Sequence, residues 1–262
     1  MHNSITPVIL TLNEAPNLAR VLDRLAWAGD IVLMDSYSTD ATLEIAARYP
    51  VVRVFQRQFD SHAEQWNYAI AQTGIRSDWI LALDADFVLS KLLVDELGTI
   101  EPPAAVAGYV GRFAYCIEGR PLRATVYTPV TVLFRRGRAS YFQDGHTQRV
   151  RVDGTLASLA GKIFHDDRKS LSRWVASQDR YMRLEADKLS TVDWGSLRWT
   201  ERIRKLRVVA PFAMLLYCLF WKGLVLDGRA GLFYTFQRSF AELLLSLRLL
   251  QNDLSQGKRG EE

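Results

Sequence analysis

An α/β fold is predicted, with a mostly parallel central sheet flanked by helices and a helical appendage at the C-terminal end. Three observations predict it. Short apolar runs without in-out alternation recur between residues 5 and 84, as expected of strands covered on both faces. Segments of helical spacing separate them, and that alternation calls for right-handed crossovers and parallel pairing. Beyond residue 207 the chain turns long, apolar and helical. With 262 residues, 48% of them hydrophobic and 24% charged, it can form one large domain or a domain with an appendage. The expected division is a domain over 1–190, in halves 1–100 and 101–190, and membrane-associating helices over 191–262.

Residues 5–12 read as the first strand, ending in Asn13-Glu14, and residues 17–25 as a helix. Ile31-Val32-Leu33-Met34 is a second strand ending in Asp35. The polar turn Ser36-Tyr37-Ser38-Thr39-Asp40 supplies cap residues for a helix over 41–48. A third strand covers 51–55 and a helix with Trp66 and Ile70 on one face covers 61–71. Trp79-Ile80-Leu81-Ala82-Leu83 then runs straight into Asp84-Ala85-Asp86.

Ligand sites in such sheets lie beyond the carboxyl ends of the strands, so Asp84 and Asp86 should emerge where a ligand would sit. Paired carboxylates repel unless a cation shares them, and a hard divalent ion carrying phosphate oxygens is the natural partner. A solvated strand end is the plainer reading of a lone D-x-D. Asn13, Glu14 and Asp35 at the ends of two further strands favour the shared site. No G-x-G-x-x-G follows the first strand and no G-x-x-x-x-G-K-[ST] is present, which argues against dinucleotide and P-loop sites. The net charge of +4 is spread along the chain and does not call for nucleic acid. Cys116 and Cys218 form no ligand pattern and suit a reducing compartment. No basic stretch leads into an apolar one at the start, so no signal peptide is expected.

Leu10-Thr11-Leu12-Asn13-Glu14, Asp35-Ser36-Tyr37-Ser38-Thr39-Asp40 and Asp84-Ala85-Asp86 resemble, in order and spacing, the nucleotide-sugar motifs of family 2 glycosyltransferases. Within that family the chain looks like the lipopolysaccharide core β-glucosyltransferase branch. The resemblance implies the GT-A fold, an inverting hexosyltransferase, a UDP-sugar donor and a divalent cation, Mg²⁺ or Mn²⁺. It implies that Thr11, Leu12, Asn13, Glu14, Asp35, Ser36, Gln65, Asn67, Asp84 and Ala85 hold the nucleotide sugar and that Asp86 binds the metal. Many members carry a second aspartate and a glycine where this chain has Ser36 and Tyr37, and serine there marks the core branch.

After a helix over 91–100, stopped by Pro102-Pro103, strands are expected at 108–115, 130–135 and 139–142. Arg120, Arg123, Arg135, Arg136 and Arg138 form either a solvated basic face or a cradle for an anionic acceptor. Single-displacement transfer needs a base for the acceptor hydroxyl. In the family this carboxylate lies well downstream of the D-x-D, and Asp144 fits best, although Asp144-Gly145 also suits a turn. The core branch commonly has His-Glu where this chain has His146-Thr147. Asp166 is the reserve base. By the same resemblance His165 and His146 join the metal site, and Arg168 or Lys169 neutralises the leaving group.

An amphipathic helix is expected over 171–188. The basic run Arg198, Arg202, Arg204, Lys205 and Arg207 then leads into the uncharged stretch 208–221, shorter than the ~20 residues of a spanning helix. A re-entrant or interfacial segment on the cytoplasmic face of the inner or plasma membrane is expected, with Tyr217 and Trp221 at headgroup level; a single crossing or a buried core helix are the alternatives. Gly228 and Gly231 are expected to break the pattern before a second amphipathic helix over 233–250.

The sequence thus reads as a metal-dependent glycosyltransferase with a nucleotide-sugar donor and a lipid-linked or lipopolysaccharide-type acceptor. A nucleotidyltransferase would open with a glycine-rich loop, and a haloacid-type phosphatase would carry D-x-D on its first strand. A non-catalytic nucleotide-binding membrane adaptor is the rival from another class.

Overall fold

The structure is a computed structural model that describes residues 4–144 and 147–257. The chain forms two compact units: residues 1–121 with 127–169, and residues 122–126 with 170–262. The helix following Ser170, assigned by sequence to the acceptor half, therefore clusters with the C-terminal helices.

In the first unit β1 (Ile5–Thr11), β2 (Ile31–Asp35), β3 (Val52–Gln56) and β4 (Trp79–Asp84) pair in parallel in the order β3-β2-β1-β4. α1 (Leu18–Asp23), α2 (Thr42–Ala46) and α3 (His62–Gln72) make the crossovers. β1 shows why the runs are continuous. Ile9, Leu33 and Leu81 pack with Leu18, Val21 and Leu22 of α1, while Val8, Val32 and Ile80 pack with Trp66 and Ala69 of α3. Alternate residues face opposite sides of a strand, so a strand covered on both sides has no polar face to show. Ser61 caps α3 by accepting the Glu64 N–H at 3.2 Å. Asp40, read as a cap for the second helix, accepts from Thr42 N at 3.0 Å.

A short strand missed in the sequence, β5 (Phe87–Leu89), turns back after Asp86. It is followed by α4 (Lys91–Thr99), β6 (Val106–Ile117), β7 (Arg120–Pro121) and β8 (Val130–Arg135). β9 (Ala139–Asp144) and β10 (Thr147–Val152) form a separate antiparallel hairpin, and β11 (Thr155–His165) completes the main sheet. The full order is β3-β2-β1-β4-β8-β6-β11-β5 with β7 on β6. β8 meets β4 and β6 antiparallel, β11 runs parallel to β6, and β5 pairs antiparallel with β11 through His165↔Phe87. The edge pairing of β5 with β11 brings His165 beside the residues that follow β4.

The second unit holds α5 (Leu171–Thr191), α6 (Trp199–Lys205), α7 (Val209–Leu216) and α8 (Gly228–Gly257), with a π turn over 217–221 and a 3₁₀ turn over 224–227. Met182, Ala186 and Leu189 of α5 pack with Leu245 and Leu249 of α8. Of the two glycines expected to interrupt the pattern, Gly228 does so, at φ 59° between the 3₁₀ turn and α8, whereas α8 runs through Gly231. A Cβ on Gly231 would stand 1.9 Å from the Leu224 carbonyl oxygen, so this glycine serves close packing inside a helix. Among the described residues no single helix is long and apolar enough to cross a membrane; 209–221 and 224–255 form a pair bent by 70°.

Candidate active site

Register fixes the site. Thr11 pairs with Asp35 across β1 and β2, and Leu10 pairs with Asp84 across β1 and β4, so three strands end at one level. Asp86 follows in the turn to β5, and its backbone carbonyl accepts the Asp166 N–H at 3.1 Å. His165, the last residue of β11, places Nε2 3.1 Å from Asp86 Oδ2. Asp86 Oδ1 and His165 Nδ1 are buried with no hydrogen-bond partner. Rings of Phe87, Tyr115 and Tyr127 surround the imidazole, with centroids 5.2, 4.7 and 4.9 Å away.

Glu14 joins this group from the loop after β1. Lys169 Nζ lies 2.6 Å from Glu14 Oε1 and 3.7 Å from Asp167 Oδ1. Burial, reinforced by the Asp86 charge, pushes the Asp84 carboxyl up to about 7. Burial likewise raises Glu14, against the pull of Lys169. For Asp86 burial is outweighed by the His165 charge and hydrogen bond, and the net shift is downward. Burial pulls His165 and Lys169 down, but the carboxylates around them win and both are held above their ordinary values. Three carboxyl groups thus share one half-buried ammonium and one imidazole, an arrangement that favours a further cation.

A divalent ion fits these donors in part. Asp86 and His165, whose Oδ2 and Nε2 lie 3.1 Å apart, are the residues that would hold a Mg²⁺ or Mn²⁺. The orphaned Asp86 Oδ1 adds a donor. Among the described residues no three His, Cys, Asp or Glu side chains form a ready metal cage, so substrate oxygens or water would complete the shell, as is usual for Mg²⁺. His146, expected as a third ligand, lies outside the described residues.

The remaining expected donor-site residues are largely spent on one another. Asp35 is 0% exposed. Its carboxylate accepts from Thr11 Oγ1 at 3.2 Å, Ser38 N at 3.0 Å, Gln56 Nε2 at 3.0 Å and the Ser38 hydroxyl, which shapes the loop after β2. Asn13, at φ 56°, accepts the Thr39 N–H at 2.7 Å through Oδ1. Gln65 donates to Ser36 Oγ at 3.0 Å and accepts from Arg57 at 2.8 Å. Asn67 exchanges two 2.9 Å bonds with the Tyr141 backbone, which docks α3 on the β9 hairpin. Ala85 is buried in the core and can offer a ligand only its backbone. Leu12 is exposed.

The two base candidates differ in setting. Asp144 ends β9, half-buried, with Oδ2 2.6 Å from Arg149 Nε. Asp166 is buried, ion-paired to Arg20 and to Arg168, the latter at 3.1 Å, and accepts the Gly119 N–H at 3.0 Å. Its carboxylate is occupied, and as the neighbour of His165 on the chain it points to the other side of the sheet. There a cavity of about 530 Å³ is lined by Arg20, Arg24, Cys116, Asp166 and Arg168.

Sequence reading missed Asn17, the hub of the site. Fully buried, it donates to Glu14 Oε2 at 2.8 Å and Asp167 Oδ1 at 2.9 Å, and accepts from Arg168 N at 2.9 Å and Arg20 at 2.7 Å. Its amide can make about four bonds, and all are used. Two of those partners, Asp167 and Arg168, come from a segment about 150 residues away, and no local pattern announces them.

The sequence profile described as Glycosyl transferase family 2 matches residues 6–150, more than half of the chain. The lipopolysaccharide core biosynthesis glycosyltransferase LpsC of Rhizobium meliloti (strain 1021) is 26% identical over 197 residues, covering 70% of each chain. An uncharacterized glycosyltransferase of Rickettsia bellii (strain RML369-C) is 35% identical over 94 residues, 36% of this chain and 31% of its own. Among solved structures, S. aureus TarS 1-349 in complex with UDP-GlcNAc superposes with a TM-score of 0.49 at 12% identity, covering 97% of this chain and 92% of that one. Glucosyl-3-phosphoglycerate synthase of Mycobacterium tuberculosis gives 0.47 at 16% identity over 70% and 79%.

Proposed function

This chain belongs to glycosyl transferase family 2, a glycosyltransferase using a nucleotide-sugar donor, and we propose that it is metal-dependent, inverting and specific for a lipid-linked or lipopolysaccharide-type acceptor at the cytoplasmic membrane face. One observation carries the reading: Glu14, Asp84 and Asp86 converge with His165 and Lys169 at the carboxyl edge of the parallel strands.

Asp86 and His165 would hold the divalent ion. When bound, that ion supplies charge stabilisation to the departing diphosphate. Lys169, half-buried beside Glu14, adds a fixed positive charge at the same edge and is strongly held in its ammonium form by the carboxylates around it. Asn17 orients Glu14 and the segment carrying Asp167 and Arg168. Asp144 takes the proton of the acceptor hydroxyl as that oxygen attacks the anomeric carbon from the face opposite the diphosphate. Asp166, engaged by two guanidinium groups, serves the frame rather than the proton transfer.

The acceptor class rests on the similarity to LpsC and on the second unit. Phe212, Leu216, Phe220, Trp221, Leu226 and Phe236 all stand exposed there, an apolar surface of the kind that marks an interaction site. The basic run beside it is largely neutralised within the unit: Arg204 pairs with Glu242 and Glu185, Arg198 with Glu201, and Arg207 with Asp253. Apolar insertion, more than attraction to anionic lipid, drives docking on this account. The deciding experiment is a screen of nucleotide sugars for slow donor hydrolysis by the full chain, with and without Mn²⁺. Metal-dependent release of a nucleoside diphosphate supports the proposal, and hydrolysis indifferent to metal removes its metal step.

A further inference from the structure

Arg20 and Arg24 stand one helical turn apart at the end of α1 and share one of its faces. The cavity of about 530 Å³ that they line is also lined by Asp166 and Arg168, just after β11, and by Gly119. Gly119 belongs to the two-residue turn between β6 and β7, with Glu118 at φ 49° and Gly119 at φ 77°. That turn delivers the Gly119 N–H to Asp166 Oδ1 at 3.0 Å. A Cβ on Gly119 would stand 2.5 Å from Arg168 Nη2, so the glycine leaves the guanidinium its place.

Three guanidinium groups thus meet one buried carboxylate. Asp166 is ion-paired to Arg20 and Arg168, and the other acid of the lining, Asp23, accepts the Tyr49 hydroxyl at 2.8 Å. Among the described residues Arg24 makes no side-chain hydrogen bond or ion pair. Three positive charges against two negative ones leave the hollow with an excess of one, and a concave site of one sign gathers counter-ions. Donors are left over as well. Arg20 gives Nη1 and Nη2 to the chain and keeps Nε, Arg168 gives Nε and Nη2 and keeps Nη1, and the Arg24 fork is whole. One fork satisfies a planar carboxylate, whereas a tetrahedral phosphate offers oxygens to several. Val88 and Phe164 line the apolar part. The volume lies in the range of small-molecule sites, roughly 300–1,000 Å³, more room than inorganic phosphate fills.

We propose that this cavity is a second anion site, on the side of the sheet away from Asp86, and that it takes a small phosphate monoester. The phosphate lies against Arg24, Arg20 and Arg168, and the organic body lies against Val88 and Phe164. The site stands apart from the donor edge and does not rest on the nucleotide-sugar reading.

Isothermal titration of the full chain with glucose 6-phosphate and with dihexanoyl phosphatidic acid, both with EDTA in place of a divalent ion, tests it. The pair separates a free phosphate ester from a phosphate carried on lipid, and binding of either one supports the site if it depends on Arg24. Arg24→Gln should weaken that binding by about tenfold or more. Arg24→Lys keeps the charge without the fork and should fall between. The melting temperature and the affinity for UDP with Mn²⁺ should be the same in Arg24→Gln and the wild type, because Arg24 holds no partner within the chain. Failure of both esters to bind overturns the proposal, as does equal binding by Arg24→Gln. Displacement of the bound ester by saturating UDP with Mn²⁺ also overturns it, since the phosphate would then occupy the donor edge. UDP binding in the wild type is read separately, so the donor reading stands or falls on its own.

Discussion

Asp86 Oδ2 and His165 Nε2 stand 3.1 Å apart at the junction of two strands that meet only through sheet pairing. If a divalent ion binds here, it stabilises the folded chain by mass action, by about 2.7 kcal/mol at a hundredfold excess over Kd. Mn²⁺ should therefore raise the melting temperature of the wild type. The shift should disappear in Asp86→Asn and shrink in His165→Ala, and Asp86→Ala should transfer no sugar while keeping its circular dichroism. A full Mn²⁺ shift in Asp86→Asn would place the ion elsewhere.

The settings of Asp144 and Asp166 predict opposite phenotypes. Asp144→Asn should leave UDP affinity within about twofold and lower kcat by about 10²–10⁴. Asp166→Asn removes a buried carboxylate from the partly exposed Arg20 and Arg168, a change expected to cost about 1–3 kcal/mol. Its effect should show in urea unfolding before it shows in kcat. Normal stability with lost turnover in Asp166→Asn would move the base to that residue.

Hydrogen bonds from Arg198 and Lys188 hold the Glu201 carboxyl down at about 2, below its ordinary 4.5. A depressed folded value means that the stabilisation is fully present above pH 4.5 and is lost as pH falls toward 2. With the Arg198 side chain 55% exposed, screening reduces the effect to about 1–2 kcal/mol. Denaturation of Glu201→Gln should show that deficit at pH 7, and the gap to wild type should close by pH 2.5. A gap constant with pH would mean that packing, not charge, holds α6.

Phe220 and Trp221 are among the most exposed aromatic residues of the second unit. If they enter a bilayer, Phe220→Ser with Trp221→Ser should weaken co-flotation with phosphatidylcholine vesicles by at least about tenfold. Raising salt from 50 to 500 mM should matter little, because most of the adjacent arginines are already paired. Unchanged flotation of the double variant would leave that surface without a lipid partner.

β1, β2 and β4 were legible because burial on both sheet faces writes itself as unbroken apolar runs such as Trp79 to Leu83, while β3 lies half-exposed at the sheet edge. The strand-end acids were legible for the same reason, since each follows such a run. What escaped is long-range. β10 and the first part of β11 are polar enough to resemble loops, and Asn17, Arg20 and Lys169 gain their meaning from partners about 150 residues away. Gly231 was misjudged because a glycine that lets a helix press against a carbonyl looks, in sequence, like one that ends it. Asp35 was found at the right edge, but the Thr11, Ser38 and Gln56 side chains that enclose it were invisible to spacing alone.

The Asn17 amide ties the first helix to a segment that the ribosome releases only after the whole of β11. During synthesis Glu14 must therefore wait, without Lys169 to oppose its charge, until the chain has grown past residue 169. A truncated product ending at residue 150 would carry the recognisable motifs and still lack the cationic half of its own crevice. For this fold, the motif-bearing stretch and the smallest working piece are different lengths of polypeptide.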